Sequence, residues 1–136
     1  VGVDLIKPNV HELEELVGRE MTDEADIDRA ASEIIERGGA RVVVVSLGRA
    51  GALLATEDTR ERFSAPHVHL RTKVGAGDSM VGGLVAALGA GEPLSEAVKR
   101  GVAAGAAAVM REGTDLCHRS DAEKLFPRVR RQERGP

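Results

Sequence analysis

The residues best suited to chemistry stand together in Val74-Gly75-Ala76-Gly77-Asp78-Ser79-Met80. Gly75 and Gly77 lie one residue apart, so the backbone can turn tightly and approach a ligand with no Cβ in the way. Asp78 follows at once, ahead of Met80-Val81-Gly82-Gly83-Leu84-Val85-Ala86-Ala87-Leu88, apolar nearly all round as a helix buried inside a larger body would be. The unpaired N–H groups of a helix N-terminus make an anion site, suited to a phosphoryl group in transit. A carboxylate there would repel a bound phosphate. It is useful if a hydroxyl must lose its proton while backbone amides hold the transferred group. Taken alone, the same aspartate also reads as an ordinary helix cap.

A second stretch is Lys7-Pro8-Asn9-Val10-His11-Glu12. Lys7 offers a point charge to a phosphate. Asn9 and Glu12, three apart at a helix start, suit either a shared hydrated Mg²⁺ or a plain capping box. Two further loops, Ser46-Leu47-Gly48-Arg49-Ala50-Gly51 and Met110 to Asp115, are also rich in small and polar residues. All four loops are expected at the carboxyl ends of strands, where open α/β sheets bind ligands. None is a Walker A loop, and Met80 stands where a dinucleotide fingerprint needs its third glycine.

The elements that must position these residues follow from periodicity and breakers. Val3 to Ile6 reads as a short strand stopped by Pro8, and Asn9 opens a helix running to about Val17. Thr22 or Asp23 opens a second helix to about Arg37, closed by Gly38-Gly39. Arg41 to Ser46 is a β-branched run typical of a parallel strand buried on both faces. Ala52 to Ala55 and a weaker segment from Arg62 to Ala65 complete the strands. After the central helix, Gly89 to Pro93 is a break. Leu94 to Met110 is a helix of small residues that admits a close neighbour, and Ser120 opens a last helix to about Val129. Helices alternating with buried strands make an α/β fold, with residues 1–129 as one domain and 130–136 as a frayed tail.

Bulk properties exclude several classes. The 136 residues suffice for a real core, and 19 basic against 22 acidic residues leave a net charge of −3, no footprint for nucleic acid. With no Trp or Tyr, and only Phe63 and Phe126, there is no base-stacking platform. Cys117 is the only cysteine, which fits a reducing cytoplasm and a packed small residue. No apolar run is long enough to span a bilayer. His67 and His69 lack a third metal ligand nearby, and the Arg128 to Arg134 cluster reads as solvated. Val1 stands directly before a strand, which leads us to expect sequence upstream.

Asn9-x-x-Glu12, Ser46-Leu47-Gly48-x-x-Gly51, Val74 to Gly83 and Gly113-Thr114-x-Leu116-Cys117 resemble, in order and spacing, the motifs of ribokinase-like sugar kinases. The phosphofructokinase B branch is most similar: minor-type 6-phosphofructokinase, 1-phosphofructokinase and tagatose-6-phosphate kinase. The resemblance runs from about Leu5 to Phe126. It implies the C-terminal half of a three-layer α/β sandwich, with a mostly buried sheet flanked by helices.

By that resemblance Asp78 is the base that deprotonates a sugar hydroxyl, and the Gly75, Ala76 and Gly77 amides form the anion hole. Asn9 and Glu12 organise Mg²⁺ through water, with Lys7 close by. Ser46, Gly48 and Gly51 line the ATP site, and Val102 and Ala106 make room for the purine. A monovalent cation such as K⁺ would take carbonyls near Thr72, Val74, Ala108, Arg111 and Gly113. Lys73, Arg111 and Asp115 depart from the family pattern, although backbone ligation tolerates such side chains. The implied substrate is a sugar phosphate, fructose 6-phosphate before fructose 1-phosphate or tagatose 6-phosphate. The implied whole kinase is a homodimer whose lid and most sugar contacts belong to the other half, so this half is expected to lack the dimer interface. A non-catalytic nucleotide-binding module is the alternative of another class.

Overall fold

The computed structural model describes residues 3–66, 76–108, 110 and 119–133. Two compact units divide the chain, one formed mainly by residues 1–62 and the other by residues 63–131. The strands are β1 (Val3–Ile6), β2 (Ala40–Ser46), β3 (Ala52–Ala55), β4 (Arg60–Ser64) and β5 (Arg130–Glu133). They form one five-stranded sheet in the order β1-β2-β3-β4-β5. β1 runs parallel to β2, with Leu5 opposite Val42 and Ile6 opposite Val43. β3 runs antiparallel to β2, with Val45 opposite Leu53. The sheet is therefore mixed. The valine run predicts burial correctly, because Val43, Val44 and Val45 are all buried, but β2 has a parallel neighbour on one side only.

In the first unit, helices α1 (Val10–Val17) and α2 (Glu24–Glu36) pack on the sheet. Leu13, Ala30, Ala31 and Ile34 meet Val43, Val45, Leu53 and Ala55 in one apolar cluster. Burying a side chain such as Leu13 contributes about 1.5–3 kcal/mol. Local chemistry sets the helix ends. Asp23 caps α2 by accepting from the Asp26 N–H at 2.8 Å. At its other end Gly38 adopts φ +76°, and the Gly39 N–H returns to the Ile34 carbonyl at 3.0 Å. Arg62 of β4 is buried and reaches Glu24 at 3.5 Å and Asp28 at 3.6 Å, which ties α2 to that strand.

In the second unit, α3 (Ala76–Gly89) packs along α4 (Leu94–Ala108). Met80, Leu84 and Ala87 of α3 are buried, as are Ala97, Val98 and Val102 of α4. Glycines set the closeness of the pair. A Cβ at Gly101 would stand 2.9 Å from the Met80 carbonyl oxygen, and one at Gly83 would stand 3.0 Å from Ala104 Cβ. The small-residue helix thus receives a neighbouring helix. Phe126 is held against α4 by Lys99, with Nζ 4.4 Å from the ring centroid, and by Arg100, at 3.9 Å.

Three expectations are corrected. α3 is not buried all round: Val81, Val85 and Leu88 are 40 %, 59 % and 38 % exposed, because α4 covers one face and leaves the opposite one open. The last helix, α5, runs only from Arg119 to Leu125. Phe126–Arg128 tightens into a 3₁₀ turn, since Pro127 lacks the N–H an α-helix would use. Residues Arg130–Glu133 are not a frayed tail but the edge strand β5. Backbone pairing with a neighbouring strand outweighs their polarity, and charged side chains suit an edge. A smaller shift moves the start of β4 from Arg62 to Arg60, where Thr56 and Thr59 close the preceding turn with a 2.8 Å backbone hydrogen bond.

Candidate active site

The parallel pairing of β1 and β2 brings their carboxyl ends side by side, and two of the predicted loops leave from there. Lys7 follows β1 and Ser46 ends β2. The Lys7 ammonium donates to Ser46 Oγ at 3.2 Å. Between Lys7 and Asn9, Pro8 is buried and its carbonyl accepts from the Ser46 N–H at 2.9 Å. Asn9 forms an isolated parallel bridge with Ser46. The sequence reading placed Lys7 and Ser46 in one site but not this link, since a hydrogen bond across 39 residues leaves no local signal.

Asn9 caps α1 in a complete capping box. The Glu12 N–H donates to Asn9 Oδ1 at 2.7 Å, and the Asn9 N–H donates to Glu12 Oε1 at 2.9 Å. Both residues are exposed. The box and a hydrated cation are compatible, because the box uses only Oε1 of the exposed Glu12. Among the described residues no group of three or more His, Cys, Asp or Glu is arranged to enclose a metal directly.

Beyond Ser46, Gly48 opens a 3₁₀ turn, Gly48–Ala50, with φ +60°, and Gly51 follows with φ +105°. Both values lie where side chains are disfavoured, so the turn itself calls for glycine there. The Leu47 N–H donates to the Gly51 carbonyl at 2.9 Å and closes the loop.

In the second unit, α3 begins at Ala76, so Asp78 lies in its first turn and not at the cap position. Its side chain is exposed. Gly77 needs no left-handed backbone, and a Cβ built on it meets no heavy atom within 4 Å among the described residues. Among the described residues nothing gives a reason for a glycine there. Val102 and Ala106 are only 1 % and 8 % exposed, on the packed side of α4. Ala108 ends α4 and is buried. Gly75, Thr72, Val74, Arg111 and Gly113 lie outside the described residues, as do His67, His69 and Cys117. No helix among the described residues is long and apolar enough to cross a membrane.

Residues 1–121 match the model of the pfkB family carbohydrate kinases. The chain is 47 % identical over 125 residues to an ATP-dependent 6-phosphofructokinase isozyme 2 of Mycobacterium tuberculosis, covering 92 % of this chain and 37 % of that protein. Among solved structures, phosphofructokinase-2 from Escherichia coli in complex with potassium superposes with a TM-score of 0.89 at 43 % identity, over 93 % of this chain and 41 % of that one. A ribokinase from Thermotoga maritima superposes with a TM-score of 0.80 at 31 % identity, over 91 % and 42 %. The chain spans about two fifths of the length of the relatives it matches. The fold is a ribokinase-like α/β fold, and the chain belongs to the pfkB family of carbohydrate kinases.

Proposed function

We propose that this protein is the ATP-binding and phosphoryl-transferring part of a sugar-phosphate kinase that converts fructose 6-phosphate to fructose 1,6-bisphosphate. The observation that carries the reading is the gathering of Lys7, Ser46 and the Asn9–Glu12 box at the carboxyl end of two paired parallel strands, in a chain of this family. In this reading the Asp78 carboxylate accepts the proton of the sugar hydroxyl as its oxygen attacks the γ-phosphorus. The bond from that phosphorus to the β–γ bridging oxygen breaks, and ADP leaves. The amides of Gly75, Ala76 and Gly77 hold the transferred group. The space beside Gly77 supports this role, since no described residue lies within 4 Å of a Cβ built there.

Lys7 places its charge on the nucleotide phosphates, and Ser46, Gly48 and Gly51 line the same pocket. Asn9 and Glu12 orient the water shell of Mg²⁺, which neutralises phosphate charge when bound. We assign the purine to the side of Val102 and Ala106, and a monovalent cation to carbonyls near Thr72, Val74, Ala108, Arg111 and Gly113. We expect the whole kinase to be a cytoplasmic homodimer. Fructose 1-phosphate and tagatose 6-phosphate are the alternative substrates. A second reading is a nucleotide-binding module without turnover.

The test is ADP release from MgATP with each sugar phosphate, for the wild-type protein and Asp78→Asn. A base supplies about 10²–10⁴-fold, so the variant should bind MgATP as the wild type does while turnover falls by that factor. Wild-type turnover in Asp78→Asn would refute the base assignment. MgATP binding with no sugar-dependent turnover in the wild type would establish the module instead.

A further inference from the structure

We infer that Ser46 is a positioning residue for Lys7: its hydroxyl holds the lysine ammonium at the shared carboxyl end of β1 and β2. The inference rests on the proposed role of Lys7 at the nucleotide phosphates and assigns Ser46 a task through that lysine.

Ser46 makes two separable connections. Its backbone N–H donates to the Pro8 carbonyl at 2.9 Å, and its Oγ accepts from Lys7 Nζ at 3.2 Å. Pro8 has no N–H and a restricted φ, so its carbonyl is the one backbone polar group available at that residue. The backbone bond therefore sets the path from Lys7 into the Asn9 cap, and the side-chain bond sets the lysine head. A lysine carries three rotatable N–H donors on a flexible stem. Spending one on Ser46 fixes the stem and leaves two for phosphate oxygens, so less freedom is lost when the nucleotide arrives. Lys7 and Ser46 are both half-buried, which protects the bond from competition by bulk water.

The design also predicts what a substitution spares. Ser46→Ala deletes the hydroxyl and keeps the N–H, so the Asn9–Glu12 box should survive.

The experiment uses the full chain with Ser46→Ala, Ser46→Thr, Lys7→Met and the double variant Lys7→Met/Ser46→Ala. Without nucleotide, NMR relaxation of the Lys7 Cε methylene should show a loss of order in Ser46→Ala and recovery in Ser46→Thr. The Glu12 amide signal should stay in place in both. An unchanged Lys7 order would overturn the inference. With MgATP, Ser46→Ala should weaken binding about five- to tenfold, the scale of one lost hydrogen bond. In the Lys7→Met background the same change should add less than about twofold, as expected when two residues act as a unit. Fully additive losses would mean that Ser46 meets the nucleotide by itself, and the positioning role would fall. If the wild type binds no MgATP, the nucleotide reading fails, while the Lys7 relaxation still decides whether Ser46 holds the lysine.

Discussion

Gly82, Gly83 and Gly101 give a sharp test of how the second unit is packed, because alanine at 82 and at 101 should move stability in opposite directions. A Cβ at Gly101 would lie 2.9 Å from the Met80 carbonyl oxygen, 3.3 Å from Met80 Cγ and 3.5 Å from Leu84 Cβ. The first distance is about half an ångström short of ordinary contact. The obstructing atom is helix backbone, so relief requires α3 and α4 to separate. Overpacking of this kind costs about 1–3 kcal/mol, and the better helix propensity of alanine returns about 1 kcal/mol. We expect Gly101→Ala to lose up to about 2 kcal/mol net, a fall in Tm of up to roughly 8 °C. Gly82 lies on the same helix as Gly83, yet a Cβ there meets nothing within 4 Å. Gly82→Ala should therefore gain about 0.5–1 kcal/mol from reduced backbone freedom alone. The assay is thermal and denaturant unfolding of both variants beside the wild type in one buffer. Equal shifts for the two, or a Gly101→Ala variant as stable as Gly82→Ala, would refute the close α3–α4 packing.

The remaining expectations concern the site and its frame. Gly77→Ala should leave Tm unchanged or slightly raised, since no described atom opposes its Cβ, while phosphoryl transfer falls by about 10²–10³-fold; retained turnover would remove Gly77 from the anion hole. Asp26 accepts hydrogen bonds from the Thr22 hydroxyl and backbone N–H and pairs with Arg29, which lowers its pKa from 3.8 to about 2. A depressed carboxylate stabilises the folded state above its unfolded value and loses that contribution as pH falls from about 4 to about 2. Carboxyl NMR should place the Asp26 midpoint near 2 and move it upward in Thr22→Val; a midpoint indifferent to Thr22 would contradict the hydrogen-bond cause. Arg62→Met removes the cation that joins β4 to Glu24 and Asp28 of α2. Breaking a buried pair costs about 3–5 kcal/mol, and the exposure of Glu24 reduces our expectation to about 2 kcal/mol. Adding Asp28→Leu should restore part of the loss in urea unfolding, and a single variant as stable as the wild type would show the pair to be idle.

Local signals carry far in this protein. Asn9 and Glu12 announce the capping box, Asp23 opens α2, Gly38 closes it, and the valine run marks a buried strand, because each depends on groups a few residues apart. The glycine–aspartate block and the Asn-x-x-Glu block resemble a kinase family closely enough to name it, and the family is the one the chain belongs to. Other features have no local cause. Gly82 and Gly83 are adjacent and identical as letters, and the approach of α4 alone makes one free and the other confined. Residues Arg130–Glu133 look like a solvated tail until a strand edge offers their backbone a partner. The α3 stretch is apolar on every side, but whether Val81, Val85 and Leu88 are covered depends on what packs against the face away from α4. Lys7 and Ser46 meet because two strands run parallel in one register. Cap and turn chemistry is short-ranged and written in neighbouring residues, whereas burial, register and close helix approach are properties of pairs far apart in the chain.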